Sequence, residues 1–421
     1  MCIVPWVGSV TTIAPTSARD HHRLAAILAT LSAIGPLSTD TYLPSMREIS
    51  RNFAASPVLV QQTLTAYMVP FALMTLWHGA ISDALGRRRV ILATLAAFSL
   101  GSIGCMLSWN IQSLLFFRAM QGMTAGSGMV IGRAMVRDVL DGDEARRLMA
   151  RVTLMFAIAP AAGPVIGGWL HVWFGWRSVF AFLAVFALLL LGWCWQSLPE
   201  TLNPAHRQVV RVDNLLRSYG RVLKHGPFIV LIMALTFTFS AVFLYIVSAP
   251  AFLIGQLHVK ETSFLWLFGP ITVGMLVGTW LSDKTTSRLT NPQTVFVAYG
   301  VMLLAALSNL LFHSLQPASL PLSIVPLVIY VVGSSLAMPS LTLMALDLFP
   351  QQRGLASSCQ GFVQSGGNAL TASLLAPLLW GSARSLAAGQ VAILVLAIGC
   401  YLVFSRVLGN VTPTANAELS G

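Results

Sequence analysis

The sequence has very little charge for its length. Of its 421 residues only 9% are Asp, Glu, Lys or Arg, against about 25% in an ordinary soluble domain. Hydrophobic residues make up 56% of the chain, and the mean hydropathy is +0.76. These charged side chains are too few to cover the surface of a soluble fold of this size. The composition therefore excludes a cytosolic globular enzyme and a disordered chain, and it indicates a polytopic helical membrane protein.

Lysine and the usual cofactor motifs are also scarce or missing. The longest basic run is Arg87-Arg88-Arg89, so the net charge of +11 does not predict binding to nucleic acid. The five cysteines are scattered without a metal-ligand or disulfide spacing. No Gly-x-x-x-x-Gly-Lys-Ser/Thr and no HExxH occurs, so we expect no ATP cradle, no metal, no other cofactor and no enzyme activity. An ion gradient is the remaining energy source.

Long apolar runs define the expected fold. A helix that crosses about 30 Å of hydrocarbon needs about 20 mainly apolar residues. Twelve runs of this kind occur, at about 24–44, 58–81, 90–108, 112–134, 148–171, 176–198, 227–251, 262–282, 293–313, 321–347, 354–380 and 385–407. We predict an all-α membrane protein of twelve helices in two six-helix bundles, with bounds at 1–22 (N-terminal segment), 23–198 (first bundle), 199–226 (linker), 227–408 (second bundle) and 409–421 (tail).

The distribution of Lys and Arg predicts the orientation. About 18 of these cations fall on one side if the N-terminus is inside, and about five fall on the other. We therefore expect a multi-pass membrane protein with a cytoplasmic linker and both termini in the cytoplasm.

A weak internal repeat relates the two predicted bundles. Gly79 and Asp83 after helix 2 have counterparts in Gly278 and Asp283 after helix 8. Two parallel six-helix repeats place a substrate site near the middle of the membrane, between the halves.

The segment 79–89 combines glycine, aspartate and arginine at the predicted inner end of helix 2. Gly79 permits close helix approach and Gly86 permits a tight turn into helix 3. The arginines Arg87 and Arg88 can pair with Asp138, and Asp83 can lie at the positive N-terminus of another helix. Pairs that break and re-form would make a gating latch between the halves, whereas a simple positive anchor facing water is the alternative.

Four segments resemble motifs of the major facilitator superfamily. Residues 79–89 resemble its loop 2–3 signature, Arg118-Ala-Met-Gln121-Gly122 resembles its Arg-x-x-Gln-Gly element, and 159–168 resemble the antiporter signature of its drug-exporting branch. Leu37-Ser-Thr-Asp40-Thr-Tyr-Leu-Pro44 is similar to the first helix of the Bcr/CflA drug-resistance group. The resemblance spans about 20–408 and implies a twelve-helix drug:H⁺ antiporter of a bacterial inner membrane. The sequence departs from the pattern at Ala84, where many members carry Arg, and in its poor second-half copy.

Two opposite charges are predicted deep in the membrane. At 1.5 Å per residue, Asp40 lies about 24 Å from the inner end of helix 1, and Arg118 lies about 21 Å from the inner end of helix 4. Charges at such depth face protein or a cavity rather than lipid. We interpret Asp40 and Arg118 as proton-coupling residues. The alternatives are an interfacial Asp40 and an Arg118 that only satisfies backbone carbonyls.

Glycines and aromatic residues supply the remaining candidate sites. Gly163, Pro164, Gly167 and Gly168 of helix 5 form a smooth, bent helix-packing face, and the resemblance implies that this packing seals the cavity against proton leak. The candidate substrate-cavity residues are Thr39, Tyr67, Phe71, Gln121 and Tyr245, for which ordinary packing or lipid contact is the alternative.

These observations favour a proton-coupled exporter of small, largely apolar drugs that works by alternating access. The expected partners are the lipid bilayer, small-molecule substrates and protons, and we expect a monomer. One alternative is an exporter or importer of a specific metabolite on the same fold. A more distant one is a membrane receptor or scaffold that transports nothing, in which Asp40 would be dispensable.

Overall fold

The computed structural model describes residues 18–139, 148, 160–203, 205, 207, 212–285 and 288–417, with side chains described between residues 23 and 406. Within these ranges the chain is helical and contains no strand. Several predicted segments lie outside them: most of the N-terminal segment, the loop 140–147, the start of helix 5 at 149–159, parts of the linker and the end of the tail.

The helices of the first half follow the apolar runs. They are α1 (Ala18–Asp40), α2 (Met46–Asn52), α3 (Pro57–Leu85), α4 (Arg87–Met106), α5 (Ile111–Ala125), α6 (Ser127–Val139), α7 (160–174 in its described part) and α8 (Arg177–Ser197). The predicted helix 4 is thus two helices, which meet at Gly126. The small Gly126-Ser127-Gly128 sequence favours such an interruption.

The second half begins after a helical linker. Its helices are α9 (Val212–Leu223, in the linker), α10 (Gly226–Val247), α11 (Leu265–Thr285), α12 (Asn291–Leu315), α13 (Val325–Asp347), α14 (Arg353–Leu370), α15 (Ala376–Leu379) and α16 (Ala383–Ala417). Two π-helical turns, Pro250–Gln256 and Thr371–Leu375, interrupt the predicted helices 7 and 11.

Nine helical segments within the described ranges are long and apolar enough to cross a membrane. The predicted helices 4, 5 and 11 are not among them. Helix 4 is divided, helix 5 is described only from residue 160, and helix 11 contains a π-helical turn. The all-helical membrane fold is confirmed, whereas the count of twelve spans stays a prediction.

Large apolar side chains cover the outside of the bundle. Phe116, Leu189, Leu304 and Leu378 are each exposed by two thirds or more of their surface. In water such a surface would drive aggregation, whereas in a bilayer it contacts hydrocarbon. These exposed side chains mark the surface of the bundle that contacts lipid.

The two ends of the bundle differ in how the halves meet. We call the end with Gly86 the inner end, following the predicted orientation, and the end with Gly175 the outer end. At the outer end Gln61 and Gln62 of α3 donate to the backbone oxygens of Ala372 and Ser373, each at 3.2 Å. These hydrogen bonds join the first half directly to the second.

At the inner end a cavity of about 680 Å³ lies between the halves, bordered by α3, α6, α9 and α14. The linker helix α9 lies along it, and the Tyr219 hydroxyl donates to Leu76 O at 2.6 Å. Burial raises the pKa of Tyr219 to about 12, so the hydroxyl stays protonated and keeps this bond. The halves are therefore joined by hydrogen bonds at the outer end, where a smaller cavity of about 390 Å³ lies between them, and are separated by the cavity of about 680 Å³ at the inner end.

Candidate functional site

Arg118 lies on α5 with no exposed surface. Asn110 fixes the start of this helix through a capping box, in which Asn110 Oδ1 accepts from Ser113 N at 2.8 Å. Two turns later Arg118 Nη1 donates to Gln121 Oε1 at 2.9 Å and to Ser38 O on α1 at 3.2 Å. Gln121 in turn donates to Ser102 Oγ on α4 at 2.7 Å. The buried guanidinium therefore links three helices.

Two tyrosine rings flank the same guanidinium. The Arg118 carbon Cζ is 4.9 Å from the ring centre of Tyr42 and 4.5 Å from that of Tyr67, distances at which a cation is attracted to a ring face. Gly122 allows this arrangement, because a Cβ there would collide with the backbone oxygen of Tyr67. Arg118 Nε and Nη2 make no hydrogen bond to any described group. The two tyrosine rings therefore stabilise the guanidinium charge, and two of its nitrogen atoms have no hydrogen-bond partner among the described groups.

Asp40 is the last residue of α1 and is only 5% exposed. The hydrogen bond that the structure gives its carboxyl group joins Oδ1 to the Thr39 hydroxyl at 3.1 Å. The same hydroxyl lies 2.9 Å from Pro36 O. Since a hydroxyl carries one proton, it cannot donate to both oxygens at once.

Asp40 and Arg118 do not form an ion pair in this structure. Arg118 contacts Ser38, which is only about 3 Å along the helix axis from Asp40, so their similar depth agrees with the sequence arithmetic. Two residues correspond to about 200° of helical rotation, so Asp40 and Ser38 point to opposite sides of α1. The end of α1 therefore separates the acid from the guanidinium.

The side of α1 that carries Asp40 packs against α7. A Cβ at Gly163 would lie 2.9 Å from Asp40 Cβ, and one at Gly167 would collide with the backbone oxygen of Thr41. At Gly168 it would lie 2.6 Å from Glu261 O of the second half. The glycines of α7 therefore let it touch α1 on one side and the second half on the other.

The predicted latch residues form an ion-pair network at the inner end. Buried Arg87 pairs with Asp83 and, through Nε, with Asp138 Oδ2 at 3.1 Å. Its backbone N–H donates to Glu200 Oε1 at 2.9 Å, which places a carboxylate at the N-terminus of α4. Gly86 has a φ of +99°, and a Cβ there would collide with the Glu200 carboxylate. Gly86 is required both for the turn and for this contact.

All these ion pairs lie within the first half and the start of the linker, so here the network does not join the two halves. Arg88 is not in it: Arg88 donates instead to Trp195 O at 2.6 Å. A Cβ at Gly79 would meet Val130 at an ordinary 3.9 Å, so this glycine is not needed for close approach. Gly79, Asp83 and Arg87 border the inner cavity, and their gating role stays a prediction.

The five predicted substrate-cavity residues are not all together. Tyr67 stacks on Phe71 with ring centres 6.0 Å apart, near Arg118, Gln121 and Thr39. Tyr245 lies in the second half, where its hydroxyl accepts from Asn309 at 2.8 Å. None of the five borders the inner cavity. A role in binding substrate stays a prediction for all of them.

Sequence reasoning missed several polar residues of the site. Glu200 follows Pro199 at the end of α8 and bonds the start of α4, more than a hundred residues earlier. His171 lies between Glu48 and Glu261 at the outer end. Arg133 and Arg137 border the inner cavity. No local motif marks these residues, because their partners come from distant parts of the chain.

The fold and the site define a helical membrane transporter with a cavity between two halves. A solved bacterial homolog of the human lysosomal transporter Spinster has the same fold, with a TM-score of 0.70 at 16% identity over 93% of this chain and 98% of that one. The family model of the Major Facilitator Superfamily matches residues 28–372. The chain therefore belongs to the major facilitator superfamily.

Two relatives of known name are similar over most of their length. A bicyclomycin resistance protein homolog of Haemophilus influenzae is 26% identical over 89% of this chain and 94% of its own. Multidrug resistance protein D of Escherichia coli is 25% identical over 84% of this chain and 89% of its own. A multi-pass protein of the bacterial inner membrane that carries small molecules is supported by these matches.

Proposed function

We propose that this protein is a proton-coupled exporter of small, largely apolar drugs, with Asp40 as its proton carrier. Its named relatives are drug-resistance proteins of the bicyclomycin and multidrug type, which supports a place in the Bcr/CflA group. Transport proceeds by alternating access, in which the cavity opens to one side of the membrane at a time.

The observation that carries the proposal is the environment of Asp40. The Thr39 hydroxyl is placed to donate to Asp40 Oδ1 at 3.1 Å or to Pro36 O at 2.9 Å. A neutral Asp40 has its own O–H and can donate to the Thr39 oxygen, which leaves the Thr39 proton for Pro36 O. An ionised Asp40 competes with Pro36 for the single Thr39 proton, in a buried place where an unpaired charge is costly. The closed outer end therefore favours the protonated acid.

Arg118 can instead stabilise the ionised form of Asp40. Its guanidinium is one half-turn away on the other side of α1 and has two nitrogen atoms without a hydrogen bond to described groups. A rotation or tilt of α1 that brings Asp40 towards Arg118 stabilises the carboxylate and releases its proton. The glycine contacts between α1 and α7 guide this movement. Release of the Asp40 proton is then coupled to the movement of α1.

The test is drug accumulation in cells that lack other exporters and express either wild type or Asp40→Asn. Bicyclomycin and ethidium serve as probes, each with and without a protonophore. We expect wild type to lower accumulation only while the proton gradient lasts, and Asp40→Asn to lose this effect. The amount of Asp40→Asn in the membrane is measured as well. It should be normal, because asparagine fits the same space as aspartate.

The matched control is Asp347→Asn, which removes an exposed acid of α13 that pairs with Arg353 at 2.8 Å. This variant is expected to export like wild type. If Asp40→Asn retains protonophore-sensitive export, Asp40 is not the carrier. If neither probe is exported and a single metabolite is, the alternative of a specific metabolite transporter replaces the drug proposal.

The mouth of the inner cavity adds a charge preference. Arg133 and Arg137 of α6 border it, and neither forms an ion pair within the part of the chain that the structure describes. The described residues that line the cavity include three arginines, Arg87, Arg133 and Arg137, and one acid, Asp83, so they carry a net positive charge that raises the local concentration of anions and lowers that of cations. We therefore expect neutral and weakly anionic apolar compounds to enter more readily than hydrophilic cations.

This preference is tested with Arg133→Gln/Arg137→Gln. Export of an anionic dye should fall by about tenfold relative to a neutral probe of similar size, and the difference should shrink at high salt. Arg217→Gln is the control, because Arg217 is exposed on α9 but does not border the cavity. Equal loss for both probes would mean that the arginines act on folding instead.

A further inference from the structure

His171 of α7 lies between two carboxylates at the outer end of the bundle. Its Nδ1 is 3.0 Å from Glu48 Oε2, and its Nε2 is 3.1 Å from Glu261 Oε2. The imidazole side chain is buried, with 7% of its surface exposed. Nδ1 has no hydrogen bond to any described group, so its approach to Glu48 is a close contact with a carboxylate, whereas Nε2 forms a hydrogen bond with Glu261. Both ring nitrogens therefore face carboxylate oxygens.

This geometry depends on the protonation of the ring. A neutral imidazole has one N–H. If its proton is on Nε2 and points to Glu261, the bare Nδ1 lone pair faces the Glu48 carboxylate, and the two electron-rich atoms repel each other. An imidazolium carries an N–H on both nitrogens and attracts both carboxylates. A proton on the ring therefore strengthens its attraction to both carboxylates.

The two carboxylates belong to different halves. Glu48 is on α2 and also accepts from Trp176 N at 3.0 Å, which ties it to α8 of the first half. Glu261 follows the π-helical turn of the second half, and its backbone lies against Gly168 of α7. Opening the outer end separates Glu261 from His171 and leaves Glu48 in place. The second carboxylate is therefore present only when the outer end is closed.

Other charged groups nearby do not neutralise the cluster. Arg177 of α8 stacks on Trp176 and donates to Ser108 O, and Arg47 and Arg51 of α2 border a separate cavity of about 390 Å³. His258 is exposed, and Lys260 precedes Glu261 in the chain. In the described ranges none of these groups pairs with His171, Glu48 or Glu261.

We propose that His171 is a proton-binding site distinct from Asp40, and that its protonation holds the outer end closed. The proton comes from water at the outer face when Glu261 approaches, and it returns to the same water when Glu261 leaves. Because a positive ring attracts the Glu261 carboxylate of the second half, acid favours closure and alkali favours opening. The proposal rests on the alternating-access part of the proposed function. In an exporter of the kind proposed above, outer acid then speeds the return to the drug-loading state.

The test measures the outer opening directly on the full-length protein in lipid nanodiscs without drug. Spin labels are placed at Val58→Cys of α3 and Arg384→Cys of α16, both exposed at the outer end, in a variant whose native cysteines are replaced. Pulsed electron resonance then gives the distance distribution from about pH 8 to about pH 5.5. We expect the closed-to-open ratio to rise as pH falls, by up to about tenfold per pH unit for one linked proton.

Because Asp40 is also proposed to be protonated in the closed form, the comparison is made in the Asp40→Asn background, where His171→Gln is expected to remove the remaining pH dependence, and Glu261→Gln to weaken it strongly even if the first variant folds poorly. The control is His258→Asn, an exposed histidine three residues before Glu261 whose φ of +51° asparagine tolerates. It should behave like wild type. A wild type without pH dependence, or an unchanged dependence in His171→Gln, would overturn the proposal. Because no transport is measured, the two proposals can fail separately: Asp40→Asn alone should lose the part of the dependence that Asp40 contributes and keep the part that His171 contributes.

Discussion

The two halves of the bundle bury different kinds of polar groups. In the described ranges, the buried Asp, Glu and Arg side chains are Asp40, Arg87, Arg118 and Glu200, all before the linker helix α9. The second half buries amides, hydroxyls and His313 instead: Asn309 donates to Tyr245 at 2.8 Å and to Gln390 at 2.9 Å. Charged groups change their interactions strongly with protonation or movement. If the proposed function holds, proton coupling therefore belongs to the first half, and the second half supplies mainly a scaffold.

The largest effect is expected from Arg118→Ala, which removes the buried cation between α1, α4 and α5. Transport should be lost and stability should fall by about 2 kcal/mol or more, because two ring contacts and the bonds to Ser38 and Gln121 disappear. The second half offers the control Arg353→Ala, an exposed pair with Asp347 worth about 0–1 kcal/mol. Thermal unfolding in detergent and drug export measure the two effects. Equal losses in both variants would contradict the comparison.

An intermediate effect is expected from the α7 glycines. Gly167→Ala forces a methyl group against the backbone oxygen of Thr41, which should cost about 1–3 kcal/mol and impair export. Gly366→Ala is the matched change in α14, where a Cβ would meet nothing within 4 Å. It should be neutral or slightly stabilising, since alanine is the better helix former. Loss of export in Gly366→Ala but not in Gly167→Ala would mean that α14, and not α7, needs its glycine for transport.

The smallest effect is expected from Tyr245→Phe in the neutral network. It removes the hydroxyl that accepts from Asn309, while Gln390 still accepts from the same amide. Hydrogen bonds between membrane helices contribute about 0.6 kcal/mol on average, so the melting temperature should change little. Export of the drug and its dependence on pH should be unchanged. A loss of proton coupling here would place proton chemistry in the second half as well.

The depth of the buried charges could be predicted from the sequence, whereas helix rotation, helix interruptions and long-range contacts could not. Helix rise alone placed Asp40 and Arg118 at one depth, because the apolar runs define where each helix begins. It did not give their rotation, and so it did not show that α1 stands between them. The gap at Gly126 and the π-helical turn at Thr371–Leu375 were also not predicted, since hydropathy averages over them. Glu200 and His171 need partners from distant segments, which only the packed structure brings together.

The most direct test of the account is a proton measurement on purified protein. Wild type and Asp40→Asn are placed in proteoliposomes with a pH-sensitive dye, and a drug exported in the cellular assay is added. The account predicts proton movement on drug addition for wild type and none for Asp40→Asn, with drug binding retained in both. Proton movement of equal size in Asp40→Asn would contradict it.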